Sequence, residues 1–214
     1  MEATEILQEI AGQVSACEKC NLHYSRKHAV PGEGPVNARL LFIGEGPGFN
    51  ENEMGRPFVG QAGKFLDELL DFAGFKREEV FITNVVKCRP PENRDPLPDE
   101  LNACAAYLDR QIETINPDVI VTLGRFSMAK FLPNARISDV HGKPAWVNER
   151  LIVPMYHPAA TLHQPSLKNS VIADFKALPN AINEGQNKKQ VMLEQQKQEE
   201  DKAAADSAKQ LSLF

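Results

Sequence analysis

The stretch "RLLFIGEGPG", residues 39–48, decides the fold. Its apolar run reads as a short buried strand over residues 39–43, and the strand runs straight into a loop carrying Gly44, Gly46 and Gly48. Glycines at such a point let the backbone approach a ligand and offer it N–H groups. No Gly-Lys-Ser/Thr follows, so this is not a Walker loop. Downstream, "QAGKFLDELLDFAGF" places Phe65, Leu66, Leu69 and Phe72 at helical spacing, with Gly74 as its stop.

The strand–helix unit then repeats. "EEVFITNVVKC" contains a second strand, and "LPDELNACAAYLDRQIETI" is a helix entered through Pro98 and Asp99. "DVIVTLG" is a third strand, followed by the helical "RFSMAKFL". "ERLIVPMYHPAA" supplies a fourth strand ending at His157, and a last helix fits "NSVIADFKALPNAI", with Pro179 expected to kink it or end it early. Upstream, Ile6, Ile10 and Val14 share a face of a first helix over residues 4–16. Alternating strands and helices predict a parallel sheet covered on both faces, with a ligand site beyond the carboxyl ends of the strands. Those ends carry Gly44–Gly48, Asn84, Gly124 and His157.

With 42% hydrophobic and 25% charged residues, the 214-residue chain has the composition of one ordinary globular domain with room for an appendage, and no run approaches a membrane span. The start "MEATEILQEIAG" lacks the basic and apolar regions of a signal peptide, so a cytoplasmic location is expected. There thiols stay reduced, and Cys17, Cys20, Cys88 and Cys104 point to metal rather than disulfides. Tetrahedral zinc and an iron–sulfur cluster both accept four cysteines. The absence of a second C-x2-C leans toward the cluster. A metal there would pin the first helix to the sheet.

The net charge of −5 argues weakly against a nucleic-acid partner, but Lys87, Arg89 and Arg94 form a local basic patch. Asn84 offers an acceptor and a donor side by side, suited to a base edge. Glu45 and Glu51 place carboxylates beside the glycine loop, and Phe58 offers an aromatic face.

Together "GEGPG", "GRPFVGQAG", "TNVVKCRPPENR", "PLPDE", "HPA" and the four cysteines resemble the iron–sulfur uracil-DNA glycosylases, family 4 of that superfamily, over residues 5–182. The resemblance implies a three-layer α/β/α fold with a central four-stranded parallel sheet, and a 4Fe–4S cluster on Cys17, Cys20, Cys88 and Cys104. It implies flipping of uracil out of DNA into a pocket of Glu45, Gly46, Pro47, Gly48, Phe58, Asn84 and His157. By the same resemblance Phe58 would stack on the base, Asn84 would pair with its O4 and N3–H, and His157 would steady the developing anion at O2. The best-known relatives carry an aspartate where this chain has Gly46, so positioning of water falls to Glu51 or Glu45, Glu51 slightly ahead. Arg89, Asn93, Arg94 and Leu162 are the expected DNA contacts, with Leu162 as an apolar wedge. Where the family's first motif often continues with acidic residues, this chain has Phe49, Asn50 and Asn52.

From residue 185 the composition turns polar, a tether over 185–209 after a domain of 1–184. The chain then ends in "QLSLF", which looks like the peptide by which bacterial proteins dock on the DNA polymerase sliding clamp, through Gln210, Leu211, Leu213 and Phe214. Such a tether spans on the order of 25–30 Å. The expected state is a monomer acting on uracil-containing DNA, with no membrane partner. Two rivals are a glycosylase of wider deaminated-base range and a clamp-tethered iron–sulfur DNA-binding factor without turnover.

Overall fold

The computed structural model describes residues 2–184 together with 186, 187, 190 and 191. Gln210, Leu211, Leu213 and Phe214 lie outside the described residues, as does nearly all of 185–209. In chain order come α1 (Ala3–Ser15), β1 (Leu40–Gly44), α2 (Phe49–Met54), α3 (Gln61–Phe72), β2 (Phe81–Asn84) and α4 (Pro98–Ile115). Then follow β3 (Val119–Leu123), α5 (Arg125–Ala129), α6 (Ile137–Val140), β4 (Ala145–Val147), β5 (Arg150–Met155) and α7 (Ala160–His163). A final helix, α8, covers 168–184.

The sheet order is β2-β1-β3-β5-β4. The first four are the expected parallel strands, in register through Leu41↔Phe81, Leu41↔Ile120 and Ile120↔Ile152. A fifth strand, β4, adds an antiparallel edge to β5, so the sheet is mixed rather than four-stranded. It is three residues long and joins β5 through Asn148 and Glu149, both at positive φ. Two such residues make the tight hairpin turn whose twist matches paired strands. Neither is glycine, and the usual turn signal is therefore missing from the sequence.

Alternation along each strand feeds two cores. Phe42, Val121 and Val153 face a layer with Leu66, Leu69 and Leu70 of α3 and Val171, Phe175 and Leu178 of α8. Leu41, Ile43, Ile120 and Ile152 face Leu108, Ile112 and Ile115 of α4. Each such buried side chain contributes about 1.5–3 kcal/mol relative to exposure. Pro179 does not end α8. Buried residues lie on both sides of it, Leu178 before and Ala181 and Ile182 after. Their burial outweighs the roughly 3 kcal/mol that an interior proline costs. The first helix packs on α4 rather than on the sheet: Ile10 and Val14 close on Tyr107. Among the described residues no helix is long and apolar enough to cross a membrane.

Candidate active site

In this strand order β1 lies between β2 and β3, so the chain reverses direction across the sheet there and leaves a crevice at the carboxyl ends. A cleft of about 530 Å³ opens at that point. It is lined by Glu45, Gly46, Pro47, Gly48, Phe58, Asn84 and His157, all seven residues expected in the pocket, by Glu51, and by Asn93, Arg94 and Leu162 from the expected DNA contacts. Arg89 stands just behind, its Nε donating to Asn93 Oδ1 at 2.8 Å.

Asn84 ends β2 and is 1% exposed. Its Oδ1 is one of two buried side-chain polar atoms without a partner among the described residues. The side chain fits because residue 44 on the paired strand is glycine: a Cβ there would overlap Asn84 Oδ1 and the Phe58 ring. An unpaired buried amide oxygen costs about 1–3 kcal/mol until a donor reaches it.

Phe58 belongs both to the core and to the cleft. It is 6% exposed, and its ring lies 5.5 Å from that of His157, tilted by 24°. Its backbone is held at φ 50°, a conformation that costs a non-glycine residue of order 1–3 kcal/mol. Arg77 holds it there. Its Nη1 donates to the Phe58 carbonyl at 3.0 Å and its Nη2 to the Pro57 carbonyl at 2.6 Å. Gly63 of α3 allows the approach, since a Cβ there would strike the Phe58 carbonyl. Arg77 is itself fixed by Glu33 and Asp67 at 2.9 and 2.8 Å. Burial alone would raise the Glu33 carboxyl, but Arg56 and Arg77 outweigh it and hold it below the usual range. Nothing in "GFKREE" signals this role for Arg77 in sequence.

His157 receives the Ala159 N–H on Nδ1 at 3.1 Å. The proton of the neutral ring therefore sits on Nε2. Burial depresses the imidazole to about 4, against a small opposing effect of Glu51, so the ring is neutral at physiological pH. The two carboxylates differ. Glu51 Oε1 accepts the N–H groups of Val59 and Gly60 at 2.9 and 2.8 Å, and its Oε2 accepts that of Gly48 at 3.1 Å. It ties the glycine loop to the segment after Phe58. Glu45 is raised by burial, opposed by backbone N–H groups and the charge at the start of α5.

The basic patch is smaller than expected. Lys87 is 1% exposed and adds nothing to the surface. Its Nζ donates to Thr83 Oγ1, the Asn84 carbonyl and Gln111 Oε1 at 2.6, 2.9 and 2.7 Å, and desolvation lowers the ammonium to about 7. Those three acceptors, all oxygen, explain why the side chain turns inward. Arg94 lies at the cleft with its guanidinium paired to Glu100, at 2.6 and 2.9 Å.

Below the cleft, Cys17, Cys20, Cys88 and Cys104 line one chamber between the end of α1, the turn after β2 and α4. All four are free thiols. Burial raises Cys20, Cys88 and Cys104, the last to about 11. Arg26 closes the chamber, donating from Nη1 to Cys88 Sγ at 3.4 Å and to the Cys17 carbonyl at 2.6 Å, and from Nη2 to the Ser15 carbonyl at 2.7 Å. Among the described residues no three His, Cys, Asp or Glu side chains are placed to share a single metal ion. Four cysteines around one chamber are a donor set that either zinc or an iron–sulfur cluster accepts.

Comparison with known proteins agrees with this arrangement. The model of the uracil DNA glycosylase superfamily matches residues 31–176. A type-4 uracil-DNA glycosylase of Sulfurisphaera tokodaii is 49% identical over 182 residues, covering 80% of this chain and 83% of that protein. Those of Archaeoglobus fulgidus and Thermotoga maritima are 46% and 43% identical, covering 81% and 83% of this chain and 92% and 95% of theirs. With its mostly parallel sheet, glycine-loop cleft and cysteine chamber, the chain belongs to the uracil DNA glycosylase superfamily, among its type-4 members.

Proposed function

We propose that this protein repairs DNA by hydrolysing the N-glycosidic bond of deoxyuridine, leaving an abasic site and free uracil. The observation that carries this reading is the unpartnered Oδ1 of buried Asn84 at the cleft. Uracil N3–H supplies the missing donor, and the Asn84 amide nitrogen then meets O4. Cytosine has no proton on N3 and an amino group in place of O4, so both contacts fail. The base must leave the stack to reach this cleft, and Phe58 offers it a new face. As the bond from C1′ to N1 breaks, both electrons pass to the base. Charge gathers on O2, where the Nε2–H of neutral His157 stabilises it. Water adds to C1′ and loses a proton, and the uracil anion gains one. Orienting that water falls to Glu51 or Glu45, the two cleft carboxylates, each also held by backbone N–H groups.

Cys17, Cys20, Cys88 and Cys104 would hold a 4Fe–4S cluster. When bound it supplies cross-links between α1, α4 and the turn after Asn84, and no step of the hydrolysis is assigned to it. The terminal QLSLF would tether the enzyme to a sliding clamp. Deleting Gln210–Phe214 is expected to abolish clamp binding and to spare uracil release from a short oligonucleotide. Equal clamp affinity with and without the tail would sink that part.

The deciding experiment mixes purified, metal-loaded protein with an oligonucleotide bearing one uracil and scores abasic sites by alkaline cleavage. Cleavage that Asn84→Ala loses supports the reading. No cleavage by the loaded wild type overturns it.

A further inference from the structure

Phe49 is the first residue of α2 and is 58% exposed. Single exposed apolar side chains are normal on protein surfaces. Three features set this one apart. It follows directly on Gly48, which lines the cleft. One face of its ring lies under the Arg89 guanidinium, 5.3 Å from the ring centroid, and Arg89 is braced in turn by cleft residue Asn93. The backbone beneath it is anchored by Glu51 to Gly48, Val59 and Gly60. The ring thus stands one residue beyond the cleft lining at Gly48, with much of its surface open to solvent.

We propose that Phe49, backed by Arg89, is a stacking platform for the nucleobase beside the flipped uracil. The proposal rests on the glycosylase reading for the identity of the flipped base. Extruding one base leaves its neighbour with an uncovered π face. An aromatic ring joined to a guanidinium is the surface that unstacked nucleic acid recognises, through stacking and attraction to phosphate. The platform is continuous with the cleft on its β1 side, whereas Leu162, 44% exposed on α7, rims the cleft from the segment after β5. The two would grip the strand from different loops.

The test uses the full chain and an oligonucleotide carrying non-hydrolysable 2′-fluoro-2′-deoxyuridine, with the fluorescent base 2-aminopurine placed immediately 5′ or 3′ of it. Wild-type protein should alter the fluorescence at one of the two positions. Phe49→Ala should lose that change and weaken binding roughly 5- to 150-fold. Phe49→Trp should restore both, and Met54→Ala, which alters another exposed apolar residue of α2, should leave both unchanged. Binding and fluorescence of Phe49→Ala equal to wild type would overturn the proposal. So would a weakened Phe49→Ala that tryptophan does not rescue, or no binding by the wild type. Uracil release is scored separately on an ordinary substrate. Loss of the glycosylase reading would show there, with Phe49-dependent binding intact.

Discussion

The base cleft and the cysteine chamber share one short piece of chain, from Asn84 to Cys88, yet they are built in opposite ways. In the cleft the protein's own bonds already hold nearly every group: Glu51 by three backbone N–H groups, His157 by Ala159, and the Phe58 backbone by Arg77. One deficit remains, the oxygen of Asn84. In the chamber four cysteines line one space with no disulfide among them, and burial raises three of the thiols. The cleft suits a visitor that comes and goes. The chamber, on the proposed reading, would be completed by a resident cluster. Lys87 joins the two, since its backbone precedes Cys88 while its ammonium holds the Asn84 carbonyl.

The largest expected effect tests the cleft's single deficit. Asn84→Ala should lower kcat/KM for uracil release by roughly 10³-fold or more, because a site built around a hydrogen bond loses both binding and discrimination. Its melting temperature should hold or rise, since the variant removes an unsatisfied buried oxygen. A variant that retains activity would break the picture of a prebuilt cleft.

The next effect concerns the chamber. Cys104→Ser should abolish the brown colour expected of an iron–sulfur protein and lower the melting temperature on the order of 10 °C, through loss of a cross-link among three chain segments. Uracil release should fall too, because the turn after Asn84 loses an anchor. Colourless protein with wild-type melting and activity would show that the two regions are independent.

Much of this contrast was legible in the sequence. The four parallel strands follow from apolar runs ending in glycine, asparagine or histidine, and all seven expected pocket residues line one cleft at those ends. What was not legible depends on contacts distant in the chain. Lys87 reads as part of a surface patch because lysine seldom goes inside. Only the meeting of Thr83, Asn84 and Gln111 makes its burial tolerable. The fifth strand was hidden by a turn without glycine. Pro179 suggested a helix end because the burial on both of its sides comes from the sheet layer.

His157 sharpens the comparison through pH. Its imidazole titrates near 6.5 when unfolded and near 4 in the folded protein. Between those values the unfolded chain binds a proton that the folded one refuses. Stability from this residue is therefore unchanged above about pH 6.5 and falls as pH drops toward 4, by at most about 3 kcal/mol. Denaturant unfolding at pH 7 and pH 4.5 should show the loss in wild type and a smaller one in His157→Gln. Activity should show no inflection near pH 6.5 from this group. Equal acid sensitivity of the two proteins would mean that the folded cleft accepts a charged ring, and so is less tightly built than the chamber.

The smallest effect separates holding a group from merely stabilising the fold. Arg77 does two things: it pairs with Glu33 and Asp67, and it bridges the carbonyls of Pro57 and Phe58. Lysine can keep one charge pair but cannot fork across two carbonyls. Arg77→Ala should cost about 1–3 kcal/mol of stability as the pairs are lost and the strained Phe58 backbone relaxes. Arg77→Lys should recover part of that stability yet still raise KM several-fold, because the Phe58 ring at the cleft no longer has a fixed seat. If lysine restored KM as fully as stability, Arg77 would act through charge alone. Phe58 would then be held by its core contacts and by the glycine at 63, and the cleft would owe its rigidity to packing rather than to hydrogen bonds.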